Sequence, residues 1–380
     1  MKAAPVIEAL ASQPAVEQRL VHTGQHYDAA MSEIFFDQLG MPRPDYNLGV
    51  GSGSHARQTA EILIRFEEIV LKEKPDVLVV YGDVNSTIAT ALVAVKLGVR
   101  VAHVEAGLRS GDRSMPEEIN RVLTDAIADI LFVSEPSGEA NLLREGISRE
   151  KIHFVGNSMI DTLLKHQEKA ERTPILEQLG LLPGNGSRPT GIQSPRLQTC
   201  DFLLLTLHRP SNVDSRDDLL PILEAVHDIA GACPVLFPCH PRTRQRIKEF
   251  GLDRFFGSPE KGGPQPSNGA RIFCTAPLGY LDFVHLMSKA KLVLTDSGGV
   301  QEETTILGVP CLTLRNNTER PVTLTHGTNV LAGTTKHSIT AAHTKLVSSA
   351  STPSRPPLWD GMAGQRIAGI LANLAEVSSS

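Results

Sequence analysis

The sequence predicts an α/β protein made of two Rossmann-like, doubly wound parallel-sheet domains. Three observations predict it. Short apolar runs rich in β-branched residues alternate with helix-length segments, the pattern of buried parallel strands joined by crossover helices. The alternation occurs twice, on either side of a Gly/Pro/Ser-rich stretch at 183–200. And 380 residues exceed what one ordinary core supports.

In the first half, Arg19-Leu-Val-His-Thr reads as a strand. Gln58 to Lys74 carries Ile62, Ile64, Phe66, Ile69 and Val70 at helical spacing and stops before Pro75. Val77-Leu-Val-Val-Tyr is a buried strand, Thr87 to Leu97 a helix closed by Gly98, and Val99 to Val104 the next strand. Glu117 to Ala128 is helical and Ile130 to Val133 is strand again. Lys165 to Leu182 is a charged helical exit, and 183–200 has no period and reads as a loop. Beyond it the spacing predicts strands at Phe202–Leu207, Val235–Phe237, Leu292–Thr295 and Cys311–Leu314. Helices are expected at Asp217–Ala232, Leu281–Ala290, Gly299–Leu307 and, finally, Gly361–Leu374. The expected division is residues 1–165, residues 166–355, and a C-terminal helix in 356–380 that packs back on the first domain.

Bulk composition excludes some functions. Aromatics are 4% and the net charge is −5, which argues against a nucleic-acid binder. The five cysteines form no C-x-x-C pair and read as small buried hydrophobes, with no zinc site. There is no apolar run of membrane-spanning length and no leader pattern, so a cytoplasmic protein is expected.

Sheets of this type bind ligands beyond the carboxyl ends of their strands, and the chemistry-bearing residues fall there. Asp296-Ser297-Gly298-Gly299 joins a strand to a helix, where free N–H groups and the helix dipole attract phosphate. A plain structural turn is the rival reading. Glu302 and Glu303 lie one turn on, where a carboxylate suits ribose hydroxyls; Glu302 reads equally as a dipole partner. His208 ends one strand and can donate to a phosphoryl oxygen or move a proton, while His240 ends the next and reads as a supporting group. In the first half, Asp83 follows a strand, with helix capping as its plain alternative. Glu105 is continuous with a buried strand and so needs a partner, for which Arg109 and His103 are the candidates. Glu117 follows Pro116 in the first turn of a helix. Three converging carboxylates would shift one another's proton affinity, giving a donor and an acceptor at one pH.

Taken in order, seven motifs resemble the UDP-N-acetylglucosamine 2-epimerase family. They are Gly82-Asp83 with Asn85-Ser-Thr, His103-Val-Glu105-Ala-Gly-Leu-Arg109, Pro116-Glu117-Glu118-Ile-Asn-Arg121, Gly156-Asn157-Ser-Met-Ile-Asp161, His208-Arg209, Thr295-Asp-Ser297-Gly298-Gly299-Val-Gln-Glu-Glu303 and Thr318-Glu-Arg320-Pro321. The resemblance covers nearly the whole chain, in the non-hydrolysing bacterial and archaeal form. It implies the glycosyltransferase-B type of fold, with two Rossmann-like domains facing a central cleft. The implied reaction is reversible interconversion of UDP-N-acetylglucosamine and UDP-N-acetylmannosamine, by elimination of UDP to a 2-acetamidoglucal and its re-addition. Asp83, Glu105, Glu117 and His208 match the family's catalytic positions. Lys2, Phe283, Ser297, Gly298, Gly299, Glu303 and Arg320 match substrate-binding ones, Phe283 near the uracil and Glu303 at the ribose. No metal or nicotinamide cofactor is implied. The implied partners are a UDP-sugar and a second copy of the chain, with no nucleic acid and no membrane. Gln25 and His26 match an allosteric position of some relatives.

The chain departs from the family in two places. It begins inside a pattern that places another buried strand and a Gly-Thr-Arg-Pro-Glu loop ahead of Lys2, so reduced stability or activity is expected. Residues 183–200 are longer and more polar than expected, which a loop tolerates. Three rivals are a hydrolysing 2-epimerase releasing N-acetylmannosamine and UDP, which shares most of the motifs, a glycosyltransferase on the same fold, which the Glu105/Glu117 pair disfavours, and a nucleotide-sugar binder without catalysis.

Overall fold

The computed structural model describes residues 1–24, 36–181, 201–231, 233–257, 272–348 and 354–378. The expected loop at 183–200 and the allosteric candidates Gln25 and His26 lie outside them. The described chain forms two compact units, Met1–Lys165 with Pro356–Ser380, and His166–Arg355. No helix among the described residues is long and apolar enough to cross a membrane.

The first unit has a two-strand parallel pair, β1 (Val21–His22) with β2 (Tyr46–Asn47), and a four-strand parallel sheet. That sheet runs β3 (Val77–Tyr81), β4 (Arg100–Ala106), β5 (Ile130–Val133), β6 (Ile152–Phe154). Its helices are α1 (Ala4–Ala11), α2 (His55–Glu73), α3 (Asn85–Lys96), α4 (Pro116–Ile127), α5 (Pro136–Arg144) and the start of α6 (Ser158–Glu171). One face of the sheet packs Ala102, Val104 and Phe132 against Val6 and Leu10 of α1 and Ile367 of the C-terminal helix. The other packs Val101, Ala106, Leu131 and Val133 against Ala91 and Ala94 of α3. Alternation along β4 would put Ala106 on the face of Val104. Instead the register slips between those residues, Val104 pairing with Phe132 and Ala106 with Val133. Glu105 is the extra residue of a bulge.

The C-terminal helix, Ala363–Ser378, belongs to this unit. Trp359 ahead of it is fully buried and its indole N–H donates to the Ser134 carbonyl at 2.8 Å. The Asp161 carboxylate accepts the Gly364 N–H at 2.7 Å, capping the helix start.

The second unit holds one seven-strand parallel sheet. In chain order its strands are β7 (Leu203–Thr206), β8 (Val235–Pro238), β9 (Phe256–Gly257), β10 (Ile272–Thr275), β11 (Leu292–Thr295), β12 (Cys311–Thr313) and β13 (Asn329–Leu331). The spatial order is β13-β12-β11-β7-β8-β10-β9. Winding reverses between β7 and β11, so this sheet is doubly wound with its switch point there. Its main helices are α7 (Arg216–Ile229), α8 (Pro241–Glu249), α9 (Tyr280–Lys289), α10 (Gly298–Leu307) and α11 (Lys336–Ser348). Leu205, Leu223, Val226, Phe237, Leu294 and Leu312 centre its core. The fold class read from the sequence is the one observed. Most of the elements named from the sequence lie within a few residues of expectation, but the expected helix at Lys165–Leu182 is instead α6 (Ser158–Glu171) followed by a short helix at Ile175–Gln178, and helices α1, α5, α8 and α11 and the short strands β2, β6, β9, β10 and β13 were not expected.

Candidate active site in two clusters

The first cluster sits at the carboxyl ends of β3 and β4. Glu105 is 7% exposed and has φ 73°, a left-handed conformation in a residue with a full side chain. Such backbone costs about 1–3 kcal/mol and persists only where the surroundings impose it. Its carboxylate forms an ion pair with Lys2 Nζ. This corrects the expected partners. Arg109 pairs instead with Asp125 at 2.7 Å and with Glu145 at 2.7 Å, and His103 with Asp125. Gly82 (φ 65°) lets the pair close over it: a Cβ there would stand 3.0 Å from Lys2 Nζ and 3.3 Å from Glu105 Oε2.

Asp83 follows Gly82 and pairs with Arg121 of α4. Asn120 of the same helix donates to the Asp83 carbonyl at 2.9 Å. Helix α4 is amphipathic in the unusual sense: Glu118, Arg121 and Asp125 are buried, while Ile119 and Leu123 are 41% and 48% exposed. A buried stripe of charges at i, i+3, i+7 is expensive unless paired, and this one is paired throughout. Glu118 accepts N–H bonds from Ser110 and Gly111 at 2.9 Å each and an Arg121 bond at 2.8 Å. Burial pushes its carboxyl up, but those backbone bonds and Arg121 outweigh burial and hold it below the usual carboxylate range. Glu117 lies in the first turn of α4, partly exposed. Lys2, Asp83 and Glu105 are thus gathered around Gly82, with α4 carrying Glu117 beside its buried charges.

The second cluster sits at the switch point, where β7 and β11 end. Asp296 is fully buried after β11 and reaches across to the chain after β7. It accepts the backbone N–H of His208 at 3.1 Å and of Arg209 at 3.0 Å, the Asn212 amide at 3.2 Å, and the His208 ring, whose Nδ1 lies 2.9 Å away. Burial raises its proton affinity, yet the His208 ring and the backbone donors prevail and keep it below the usual range. His208 itself is 57% exposed, held by one ring nitrogen. Ser297, Gly298 and Gly299 open α10 and stay partly exposed. Behind them lies Arg320, 4% exposed, with Nε 2.7 Å from Glu302 and a further ion pair to Glu319. A Cβ on Gly298 would stand 2.8 Å from the Arg320 Cζ, so glycine is required for the guanidinium to lie this close under the turn. The ambiguity over Glu302 resolves as a partner of Arg320. Glu303, 2% exposed, accepts the Tyr280 hydroxyl at 3.0 Å, and desolvation pushes its carboxyl up to about 8. Phe283, partly exposed, shares the first turn of α9 with Tyr280. His240 caps α8, its Nδ1 accepting the Arg242 N–H at 3.3 Å.

Asp125, Arg121, Asp296 and Tyr280 were missed as site residues. For Asp125 and Arg121 a signal existed, the charged stripe on one helix face. Asp296 stood in the quoted turn motif but was given no role of its own, and for Tyr280 there was no signal beyond proximity to Phe283.

These features define a Rossmann-type α/β protein with an acidic cluster in one unit and a glycine turn backed by arginine, an anion-binding arrangement, in the other. The family model described as UDP-N-acetylglucosamine 2-epimerase matches residues 8–372. A UDP-N-acetylglucosamine 2-epimerase of Methanocaldococcus jannaschii is 44% identical over 373 residues, 98% of this chain and 95% of the relative. A UDP-2,3-diacetamido-2,3-dideoxy-D-glucuronate 2-epimerase of Pseudomonas aeruginosa is 41% identical over 384 residues, 98% of this chain and 96% of the relative. The crystal structure of the M. jannaschii UDP-GlcNAc 2-epimerase in complex with UDP-GlcNAc and UDP aligns with TM-score 0.85 at 43% identity, covering 98% of this chain and 96% of that one. The chain belongs to the UDP-N-acetylglucosamine 2-epimerase family.

Proposed function

We propose that this protein interconverts UDP-N-acetylglucosamine and UDP-N-acetylmannosamine without net hydrolysis. The observation that carries the reading is the strained, buried Glu105 gathered with Asp83 and Lys2 at one pair of strand ends. Proton traffic at a carbon needs such groups, and strain of this kind concentrates at functional sites.

The C2 proton of the sugar is not next to a carbonyl, so its removal is coupled to departure of UDP. A carboxylate takes the C2 proton, the C1–O bond breaks with its electrons going to UDP, and a C1=C2 double bond forms. A proton then returns to C2 from the other face and UDP re-adds at C1. Asp83, Glu105 and Glu117 supply the acid and base. Lys2 holds the Glu105 carboxylate in place through their ion pair. In the second unit the N–H groups of the Ser297–Gly299 turn receive the diphosphate, and Arg320 backs the turn with positive charge. His208 donates to a phosphoryl oxygen as UDP leaves, Glu303 takes ribose hydroxyls, and Phe283 packs by the uracil.

The second copy of the chain has a natural seat on the first unit. Ile119 and Leu123 of α4 and Ile64 and Leu71 of α2 are large exposed apolar side chains. Between these helices lies a groove of about 400 Å³ lined by Ala56, Leu63, Pro116 and Ile119. We assign this face to a homodimer contact. A cytoplasmic location is compatible with a nucleotide-sugar substrate.

The test is product analysis by NMR with UDP-N-acetylglucosamine as substrate. UDP-N-acetylmannosamine at equilibrium with substrate supports the reading. Free N-acetylmannosamine plus UDP favours the hydrolysing alternative, and an unchanged spectrum refutes both. UDP-2,3-diacetamido-2,3-dideoxy-D-glucuronate belongs in the same assay, because a relative named for that sugar is 41% identical.

A further inference from the structure

The catalytic proposal leaves one buried network without a role. His103 is fully buried, two residues before Glu105. Its Nε2 lies 2.8 Å from the Gly82 carbonyl and its Nδ1 2.7 Å from Asp125 Oδ1. The other Asp125 oxygen accepts the Gly107 N–H, two residues after Glu105, at 3.0 Å and Arg109 at 2.7 Å. One carboxylate of α4, itself 1% exposed, therefore grips the chain on both sides of the Glu105 bulge. Through the His103 ring it also fixes the residue that precedes Asp83.

We propose that Asp125 and His103 form a positioning pair that holds Glu105 in its left-handed conformation and sets Asp83 and Glu105 against the helix carrying Glu117. The argument is geometric. A non-glycine residue stays at positive φ only when its surroundings hold it there, and here one carboxylate holds the His103 ring before Glu105 and the Gly107 N–H after it. The carboxylate is also in the right state for the work. Burial pushes it up, but His103 and Arg109 outweigh burial and keep it below its ordinary range. The groups facing Asp125 are His103 from β4, the Gly107 amide and Arg109 from the segment after it; Arg109 is anchored in turn by Glu145. Neither Asp125 nor His103 is assigned any contact with substrate, so their effect passes through Glu105 and Asp83. The inference rests on the epimerase reading.

The experiment compares Asp125→Asn, Glu105→Gln and the double variant with the intact wild-type chain. Displacing a reacting group by about 1 Å costs on the order of 10²-fold in rate. Asp125→Asn is accordingly expected to lower kcat by roughly that factor, with the Kd for UDP unchanged within about twofold, since UDP is assigned to the other unit. In the double variant the two losses should not multiply: with Glu105 already disabled, Asp125→Asn should change kcat by less than about threefold. Multiplying losses would mean an independent structural role and would overturn the proposal, as would a single variant with wild-type kcat. If Asp125→Asn does not fold, Arg109→Lys touches the same carboxylate from the partly exposed edge. It should lower kcat several-fold without moving the Kd for UDP, and an unchanged kcat again counts against the proposal. Wild-type protein that fails to turn over UDP-N-acetylglucosamine ends the epimerase reading instead, and this inference with it.

Discussion

Replacing Asp296 by Asn should damage the second cluster in a way whose size follows from its bonds. The carboxylate serves four donors: two backbone N–H groups, the Asn212 amide and the His208 ring. An amide keeps one acceptor oxygen and turns its NH₂ toward the remaining donors. At least one buried N–H then goes without an acceptor, at about 1–3 kcal/mol, and the other bonds lose their charge reinforcement, at about 1 kcal/mol each. The total is about 4–6 kcal/mol, close to the cost of breaking a buried charge pair. For a unit of this size that lowers the melting temperature by about 8–24 °C. The turn that follows Asp296 loses its anchor, so UDP affinity should fall at least about tenfold, or 1.4 kcal/mol. Differential scanning calorimetry with and without UDP, and titration calorimetry, read both effects. The acid side supplies a sign check. Asp296 has a lowered proton affinity in the folded state, so its stabilisation is full above the ordinary Asp range and is lost as pH falls through its lowered value. The melting gap between wild type and Asp296→Asn should therefore narrow in strong acid. A variant that melts within about 2 °C of wild type at neutral pH refutes the reasoning, because no loss above about 1 kcal/mol fits so small a shift.

Other outcomes follow from single features. Glu303 is raised to about 8, and ribose hydroxyls donate more strongly to its ionised form. UDP affinity, measured by calorimetry, should thus rise by up to about eightfold between about pH 7 and about pH 8.5, and Glu303→Gln should abolish that dependence. Arg320→Ala should weaken UDP binding and expose the cost of taking the guanidinium away from buried Glu302, about 3–5 kcal/mol in denaturant melts, while Glu319 keeps its ion pair to Arg315; an unaltered Kd for UDP would remove Arg320 from the site. Changing both Ile119 and Leu123 to Glu should give a monomer by light scattering with an unshifted thermal melt at low protein concentration, since both side chains are already exposed. A dimer that persists in this variant places the contact elsewhere.

Much of this was legible before any coordinates. Strand ends followed by Gly82-Asp83 and by Asp296-Ser297-Gly298-Gly299 mark ligand positions because glycine and a helix start serve anions and close approach wherever they occur in such sheets. What escaped the sequence was long-range. Lys2 meets Glu105 across 103 residues, and Asp296 meets the His208 backbone across 88, separations that no local pattern encodes. The bulge was equally hidden: regular alternation along β4 gives no sign that Glu105 is the extra residue, because the slip shows only in the pairing with Phe132 and Val133 on the neighbouring strand. Helix α4 lay in between. Its charges at 118, 121 and 125 fall on one face and Ile119 and Leu123 on another, and ordinary packing logic turns that helix the wrong way round. Only the paired partners, Asp83, His103 and the 110–111 amides, make the inversion affordable.

The most direct measurement is deuterium at sugar C2 after incubation with UDP-N-acetylglucosamine in heavy water, followed by NMR for wild type and for Glu117→Gln. Wild type should label C2 in both epimers, and Glu117→Gln should label neither while binding UDP as before. Label entering C2 at an undiminished rate in the variant, or C2 inversion in wild type without label, would contradict the account.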